Sequence, residues 1–134
     1  MFTLFLLSAK ISHIMLDKWA TCQKMRLVIM GKNGVYIIPF SILGCASDLG
    51  LYLNGTIVSG KEKDLSALCA DFSIPKKIEV RSEDNSLKIS IEDDLRYEVP
   101  IDEDIGELIG VRFRFIGVGE IHELKLSNSR AEIG

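Results

Sequence analysis

Two arginines alternate with apolar residues in the segment Val111-Arg-Phe-Arg-Phe115. Because successive side chains of a strand point to opposite faces, Arg112 and Arg114 share one face. An exposed pair of guanidinium groups can form bidentate hydrogen bonds with a carboxylate or a phosphate, which suits an acidic sugar. The alternative is cross-strand ion pairing with glutamates such as Glu79 or Glu98, and we favour this structural role.

The segment Gly119-Glu-Ile-His-Glu123 places a histidine beside carboxylates. A histidine in that setting could act as a general acid or base. Strict alternation would turn Ile121 outward and group His122 with Leu124, so a β-bulge near His122 is expected. A structural histidine near a strand end is the more common outcome. Glu120 and His122 are therefore candidates for ligand binding, with no catalytic role assigned.

Aromatic side chains are common contact surfaces for ligands, and Trp19 is the single tryptophan of the sequence. It lies in an irregular segment, where it could form an exposed stacking platform for a sugar or plug the core, and the sequence leaves both open. Tyr97 falls on the buried face of a predicted strand and is assigned to the core. The candidate ligand-binding residues are thus Trp19, Arg112, Arg114, Glu120 and His122.

The three cysteines, Cys22, Cys45 and Cys69, do not have the spacing of a metal site. They could be three small buried side chains. Alternatively, Cys22 and Cys45 could form a disulfide and leave Cys69 unpaired, which would fit an oxidising compartment. The acidic segment 101–105 lacks the ligand spacing of a calcium loop. We therefore predict no metal, no cofactor and no catalytic nucleophile.

Composition excludes several classes of protein. The 134 residues are 47% hydrophobic, with a mean hydropathy of +0.20, which excludes a disordered chain and predicts one domain spanning 1–134. A net charge of −3, with both signs interspersed, argues against a nucleic-acid partner. The apolar segment 2–11 is too short to span a bilayer and is predicted to be a buried strand, so we expect no membrane insertion.

From Lys77 onward, apolar and polar residues alternate with a period of two, as in half-buried antiparallel strands. The apolar face contains Ile78, Val80, Leu87, Ile89, Ile91, Leu95, Tyr97 and Val99. Asn-Gly pairs at 33–34 and 54–55 predict hairpin turns, and turn signals recur about every 8–12 residues. Asp64 could cap one helical turn ending at Cys69. The sequence therefore predicts an all-β, antiparallel two-sheet β-sandwich of the jelly-roll type, with at most one short helical turn.

Several segments resemble concanavalin A-like, laminin-G-like sandwich domains. The meander of such domains is similar to Lys77-Ile-Glu-Val-Arg81, Leu87-Lys-Ile-Ser-Ile91 and Tyr97-Glu-Val99, and their closing hairpin in uncharacterised bacterial cell-envelope proteins is similar to Ile109–Ile121. The resemblance covers most of the chain from Trp19 onward, including Cys22-Gln-Lys24, Phe40–Cys45, Ser59-Gly-Lys61 and Asp64–Ala67. It implies a concanavalin A-like framework and an extracytoplasmic location, in the periplasm or at the cell surface.

Three functions are compatible with these features. The leading hypothesis is a non-catalytic β-sandwich module that binds a glycan or another cell-envelope protein. The alternative is a glycoside-cleaving jelly-roll enzyme in which Glu120 or Glu123 faces Glu98 across about 5–9 Å. However, Glu120-Ile-His-Glu123 lacks the alternating Glu, Asp and Glu of the sandwich glucanases, so the resemblance implies no hydrolase residues here. The third function is a purely structural protein–protein interaction domain, and the oligomeric state stays open.

Overall fold

The computed structural model describes residues 4–14, 24–83, 85–116 and 118–129, most of which lie in strands. The strands are β1 (Leu4–Ile14), β2 (Lys24–Gly31), β3 (Gly34–Ser41), β4 (Gly50–Leu53), β5 (Thr56–Ser59), β6 (Lys76–Glu83), β7 (Ser86–Ile91), β8 (Asp94–Pro100), β9 (Leu108–Ile116) and β10 (Val118–Ser129). Within the described ranges, helical structure is confined to two 3-10 turns, Ala46–Asp48 in a predicted loop and Ser66–Leu68 in the predicted helical segment. In those same ranges, no helix is long and apolar enough to cross a membrane.

The strands form two five-stranded sheets in which all neighbours are antiparallel. Sheet A has the order β10-β1-β6-β7-β8, and sheet B has the order β5-β4-β3-β2-β9. The pairs β2–β3, β4–β5, β6–β7 and β7–β8 are local hairpins, whereas β1–β6, β1–β10 and β2–β9 join strands that are distant in sequence. This arrangement confirms the predicted all-β fold, an antiparallel two-sheet sandwich of the jelly-roll type.

One hydrophobic core fills the space between the two sheets. Alternate residues of the strands point into it, as the period of two requires. Sheet A contributes Leu7, Ile11, Ile78, Val80 and Ile89, and sheet B contributes Leu27, Ile29, Ile38 and Phe40, all fully buried. Burying each such side chain stabilises the fold by about 1.5–3 kcal/mol. The apolar rows of the strands therefore hold the sheets together and leave the polar rows on the outer faces.

Tight turns with positive φ angles connect two of the hairpins. Glu92 and Asp93, between β7 and β8, have φ angles of 52° and 64°. Two consecutive residues with positive φ form the type I′ turn, whose twist matches that of the flanking strands. At the β4–β5 hairpin, Asn54 and Gly55 have φ angles of 50° and 115°. The Asn-Gly pair thus acts here as the sequence predicts.

A register shift in β8 changes the face of one predicted core residue. The pairing of β7 with β8 runs from Ile89 opposite Tyr97 to Ser90 opposite Leu95, so one residue of β8 is extra. Leu95 therefore turns outward and is 52% exposed. The prediction that Leu95 lies on the buried face is wrong, because strict alternation does not survive the irregularity.

The β-bulge expected near His122 is present in β10. The register between β10 and β1 shifts at this point, and Glu123 has a φ angle of 53°. The bulge turns Ile121 toward the core, opposite the buried Ile11, whereas His122 is exposed opposite Lys10. An isoleucine that strict alternation would have exposed is thereby placed against the core.

The cysteines are only partly placed by the structure. Cys45 is disulfide-bonded. Cys69 has a free, buried thiol whose Sγ lies 3.3 Å from Ser41 Oγ. Cys22, the expected partner of Cys45, lies outside the described residues, so the pairing of Cys22 with Cys45 stays a prediction.

The substitution Phe40→Ala is expected to lower the free energy of unfolding by about 3–5 kcal/mol. Phe40 is fully buried, and its ring meets Phe72 edge to face, with centroids 6.2 Å apart. Denaturant unfolding followed by circular dichroism measures the change. Leu43→Ala, which removes a side chain that is 67% exposed, is the control and should change stability by less than about 0.5 kcal/mol. Equal effects of the two substitutions would contradict the core assignment.

Candidate functional site

The outer face of sheet B carries a cluster of positive charge. In the β2–β9 pair, Leu27 lies opposite Phe113 and Arg26 lies opposite Arg114. Leu27 is buried and Phe113 packs against the core, so the residues next to them in each strand point to solvent. We define the cationic face as Lys24, Arg26, Lys61, Arg112 and Arg114.

The five cations of this face have no partner in the part of the chain that the structure describes. None of them forms an ion pair or a side-chain hydrogen bond with another described residue. Arg26 and Arg114 lie directly opposite each other, and like charges in that position destabilise a sheet. These charges therefore do not serve the stability of the fold, and they are free to bind an anion.

The outer face of sheet A is also charged, but it carries both signs, and several of its charges are paired. Arg81 Nη2 lies 3.2 Å from Glu79 Oε1, and Lys88 Nζ lies 3.0 Å from Glu83 Oε1. The hydrogen bond from Lys88 holds the pKa of the Glu83 carboxyl below its usual range. The two outer faces thus differ in electrostatic character, since one has mixed and partly paired charges and the other carries the cationic cluster.

The expected ion pairs between the two strand arginines and Glu79 or Glu98 are wrong. Glu79 and Glu98 lie on β6 and β8 of sheet A, whereas Arg112 and Arg114 lie on β9 of sheet B. The sheets of a sandwich pack about 10 Å apart. Their outer faces point away from each other, so the whole sandwich separates these charges.

A groove of about 430 Å³ lies on the cationic face. The residues that line it include Lys24, Arg26, Lys61, Tyr52, Ile37 and Ile57. No carboxylate is among the described residues that line the groove. Apolar surface with a few convergent polar groups is typical of small-molecule sites, and the positive charge selects for an anionic ligand.

Tyr52 is the lining residue that is best suited to transfer a proton. It is half-buried on β4, and its hydroxyl makes no hydrogen bond to another described residue. Tyr36 differs, because its hydroxyl donates to the carbonyl oxygen of Glu103 at 3.0 Å. Burial and the charge of Asp104 raise the pKa of Tyr36. Tyr36 is therefore a structural residue, whereas the hydroxyl of Tyr52 is available to a ligand.

The structure brings together two of the five ligand-binding candidates from the sequence. Arg112 and Arg114 both belong to the cationic face. Glu120 and His122 lie on β10 of sheet A, where His122 Nε2 is 3.0 Å from Glu120 Oε2 and both side chains are exposed. Trp19 lies outside the described residues. The binding roles of these residues stay predictions.

The carboxylate pair of the glycosidase alternative is not assembled. Glu98 lies on β8, and Glu120 and Glu123 lie on β10, at opposite edges of sheet A. Four strand spacings separate these edges, which is about 19 Å. A pair of catalytic carboxylates must lie about 5–9 Å apart, so the expected pairing is wrong. In the part of the chain that the structure describes, no group of three metal-binding side chains occurs either.

Sequence reasoning missed Lys24, Arg26, Tyr52 and Lys61 as members of one site. The signal that exists is the position of Arg26 on the polar face of a predicted strand, the same pattern as in Arg112 and Arg114. What the sequence does not reveal is that β2 and β9 are neighbours. The period of two assigns a face within each strand, but it carries no information about which distant strand lies alongside.

Comparison with known proteins identifies similar folds. No family model and no curated protein matches the chain. Three similar solved structures are the alginate lyase AlgAT5 from polysaccharide lyase family 7 (12% identity, TM-score 0.52), the alginate lyase from Corynebacterium sp. (8%, 0.51) and the alginate lyase AlyC3 (11%, 0.51). The matches cover 95%, 95% and 94% of this chain, which spans 60%, 59% and 64% of those chains. At these identities the likeness shows the fold alone.

These structures correct the leading function hypothesis from the sequence, a non-catalytic binding module. All three are lyases that act on a polysaccharide and share the sandwich fold of this chain. These lyases correspond to the alternative, a polysaccharide-cleaving jelly-roll enzyme, and not to the binding module. The glutamates named for that alternative are far apart, so any cleaving site has to be sought elsewhere.

The substitution Arg114→Thr is expected to stabilise the protein, because it removes the like charge opposite Arg26 and introduces a residue with high strand propensity. The gain should be about 0.2–1 kcal/mol at low salt and should shrink as salt screens the repulsion. Thermal unfolding at two salt concentrations measures it. Arg81→Thr is the matched control and should bring no gain, because Arg81 is paired with Glu79. A loss of stability in Arg114→Thr at low salt would contradict the assignment.

Proposed function

We propose that this chain binds an acidic polysaccharide built of uronic acids on the cationic face and cleaves it by β-elimination. The observation that carries the proposal is the group of five cations on the face that holds Tyr52, because neither they nor its hydroxyl have a partner among the described residues. The likeness to three alginate lyases supports the proposal, since alginate is a polymer of uronic acids. We also propose that the chain forms a single domain and that it is located outside the cytoplasm, in the periplasm or in the cell envelope.

Binding would rest on the complementarity between carboxylates and guanidinium groups. Arg26, Arg112 and Arg114 present planar forks that can form bidentate hydrogen bonds with the carboxylates of successive sugars. The two lysines of the cationic face add positive charge at the groove. Ile37 and Ile57 offer apolar surface to the C–H groups of the sugar rings. Such a face would bind charged polysaccharides and would have little affinity for neutral ones.

The lining of the groove favours elimination over hydrolysis. Glycoside hydrolysis uses two carboxyl groups that flank the scissile bond, one as an acid and the other as a base or nucleophile. No carboxyl group is among the described residues that line this groove. Elimination at a uronic acid instead needs a positive group at the substrate carboxylate and a side chain that moves a proton. The groove provides both kinds of group.

Each step of the reaction has a residue suited to it. The substrate carboxylate, attached to C5, acidifies the C5 proton, and negative charge grows on its oxygens as that proton leaves. Arg26 would stabilise this charge from the groove wall. Tyr52 would transfer the proton, the C5–H electron pair would become a C4=C5 double bond, and the C4–O4 bond would break. The products are an unsaturated uronic acid and a shortened chain.

The protein is expected to release unsaturated oligosaccharides from a uronic-acid polysaccharide, measured by the ultraviolet absorbance of the conjugated double bond. Arg26→Gln removes a charged hydrogen-bonding group worth about 1.5–3 kcal/mol, so kcat/KM should fall about 10- to 150-fold. Arg81→Gln is the matched control on the paired face of sheet A and should keep the wild-type rate.

Two further measurements test the electrostatic basis of binding. Affinity for the acidic polysaccharide should decline as salt rises, because the exposed charges are screened. A neutral β-glucan should be neither bound nor cleaved. The proposal fails if no uronic-acid polymer yields an unsaturated product, or if Arg81→Gln loses as much activity as Arg26→Gln.

A further inference from the structure

Among the described strands, β5, β8, β9 and β10 lie at the edges of the two sheets. An open edge can pair with a second chain, and proteins prevent this with short strands, bulges, proline or charge. β5 has four residues, β8 has a register shift and ends at Pro100, and β10 has the bulge at Glu123. β9 differs, because it pairs with β2 without a break from Gly110 to Ile116 and its outer row carries Arg112 and Arg114. Charge is the one of these devices that a ligand can neutralise.

The inner row of β9 is self-complementary. In an antiparallel pair of two β9 strands with a two-fold axis at Phe113, that ring would meet Phe113 of the second copy, and Val111 would meet Phe115. These three side chains pack against the core but stay partly exposed at the edge of sheet B. Aromatic and β-branched pairs of this kind stabilise a sheet beyond the apolar area that they bury. The inner row therefore favours association of two copies.

The outer row of β9 opposes the same pairing. Arg112 of each copy would lie opposite Arg114 of the other, and Arg26 already lies opposite Arg114 within each sheet. Like charges in that position destabilise a sheet. One strand pair is also a small contact beside the roughly 1,200–2,000 Å² that stable complexes bury. The protein alone should therefore be a monomer at low salt.

We propose that a polyanionic saccharide bound to the cationic face joins two copies of the protein through β9. The inference rests on the binding part of the proposed function and not on the cleavage. Anionic groups placed among the arginines neutralise their repulsion, and the inner rows of the two β9 strands can then pair. The two five-stranded copies of sheet B would form one ten-stranded sheet, with a groove on each side of the axis. The second copy thereby adds its own Arg112 and Arg114 to the surface that holds the saccharide.

Sedimentation of the full chain with sucrose octasulfate tests the inference. This saccharide carries several negative charges but no uronic acid, so elimination does not consume it, and it is too small to hold two copies far apart. The protein should sediment as a monomer alone and as a dimer with the saccharide. Hydrogen exchange should then slow at the backbone amides of β9 and stay unchanged in β8, the edge strand of sheet A on the other side of the sandwich.

The double substitution Arg112→Thr/Arg114→Thr removes the block and should promote the dimer without any saccharide. Two opposed arginine pairs disappear, so the dissociation constant of the dimer should fall about 2- to 30-fold relative to the wild type alone. Threonine has high strand propensity, so β9 should keep its structure. Arg81→Thr, on the outer face of sheet A, is the matched control and should associate no better than the wild type.

The outcomes separate this inference from the proposed function. If calorimetry shows that the saccharide binds and the protein stays monomeric, the inference is overturned while the proposed function stands. A dimer without slower exchange in β9, or a double variant that associates no better than the wild type, would also overturn it. If neither sucrose octasulfate nor a uronic-acid polymer binds, the inference and the proposed function fail together.

Discussion

The antiparallel pairing of β2 with β9 is the interaction on which the candidate site depends. Its register sets Leu27 opposite Phe113 and Arg26 opposite Arg114. A slip by one residue would turn every side chain of β9 to the other face, burying arginines and exposing phenylalanines. Burial of an unpaired guanidinium is far more costly than exposure of an apolar ring. The hydrophobic core therefore fixes the register, and the register fixes where the positive charges lie.

The cationic face opposes folding, but by less than the core favours it. Like charges directly opposite each other destabilise a sheet by about 0.2–1 kcal/mol. Each large apolar side chain that β2 buries, such as Leu27 or Ile29, contributes about 1.5–3 kcal/mol. The core thus offsets the repulsion several-fold. The strand also fixes the Cα atoms of Arg112 and Arg114 about 6.6–6.8 Å apart, so the backbone needs no ordering on binding, although the exposed side chains do.

The sequence predicts those features that depend on residues close together in the chain, and it does not predict those that depend on contacts between distant strands. The hairpins and the buried rows of β6 and β7 depend on residues close in the chain, and they were predictable from alternation and from turn residues. Leu95 was misplaced because a single extra residue in β8 reverses the alternation, and no residue type marks that position. Two expected pairings of Glu98 were wrong, the catalytic pair with Glu120 and the ion pair with Arg112. Both depend on the order of the strands in the sheets, which the period of two does not encode.

The same difference explains why the charge balance of the sequence misleads. A net charge of −3 with interspersed signs suggests a surface without a strong field. On sheet A, the ion pair of Arg81 with Glu79 lies within one strand, and that of Lys88 with Glu83 spans one hairpin, so mixed charge in sequence becomes paired charge in space. On sheet B, the cations come from segments far apart in the chain, and the fold brings them together with no acidic partner among the described residues. Mixed and partly paired charges thus lie on one face, and an anion would be drawn to the groove on the other, whose described lining contains lysine and arginine but no carboxylate.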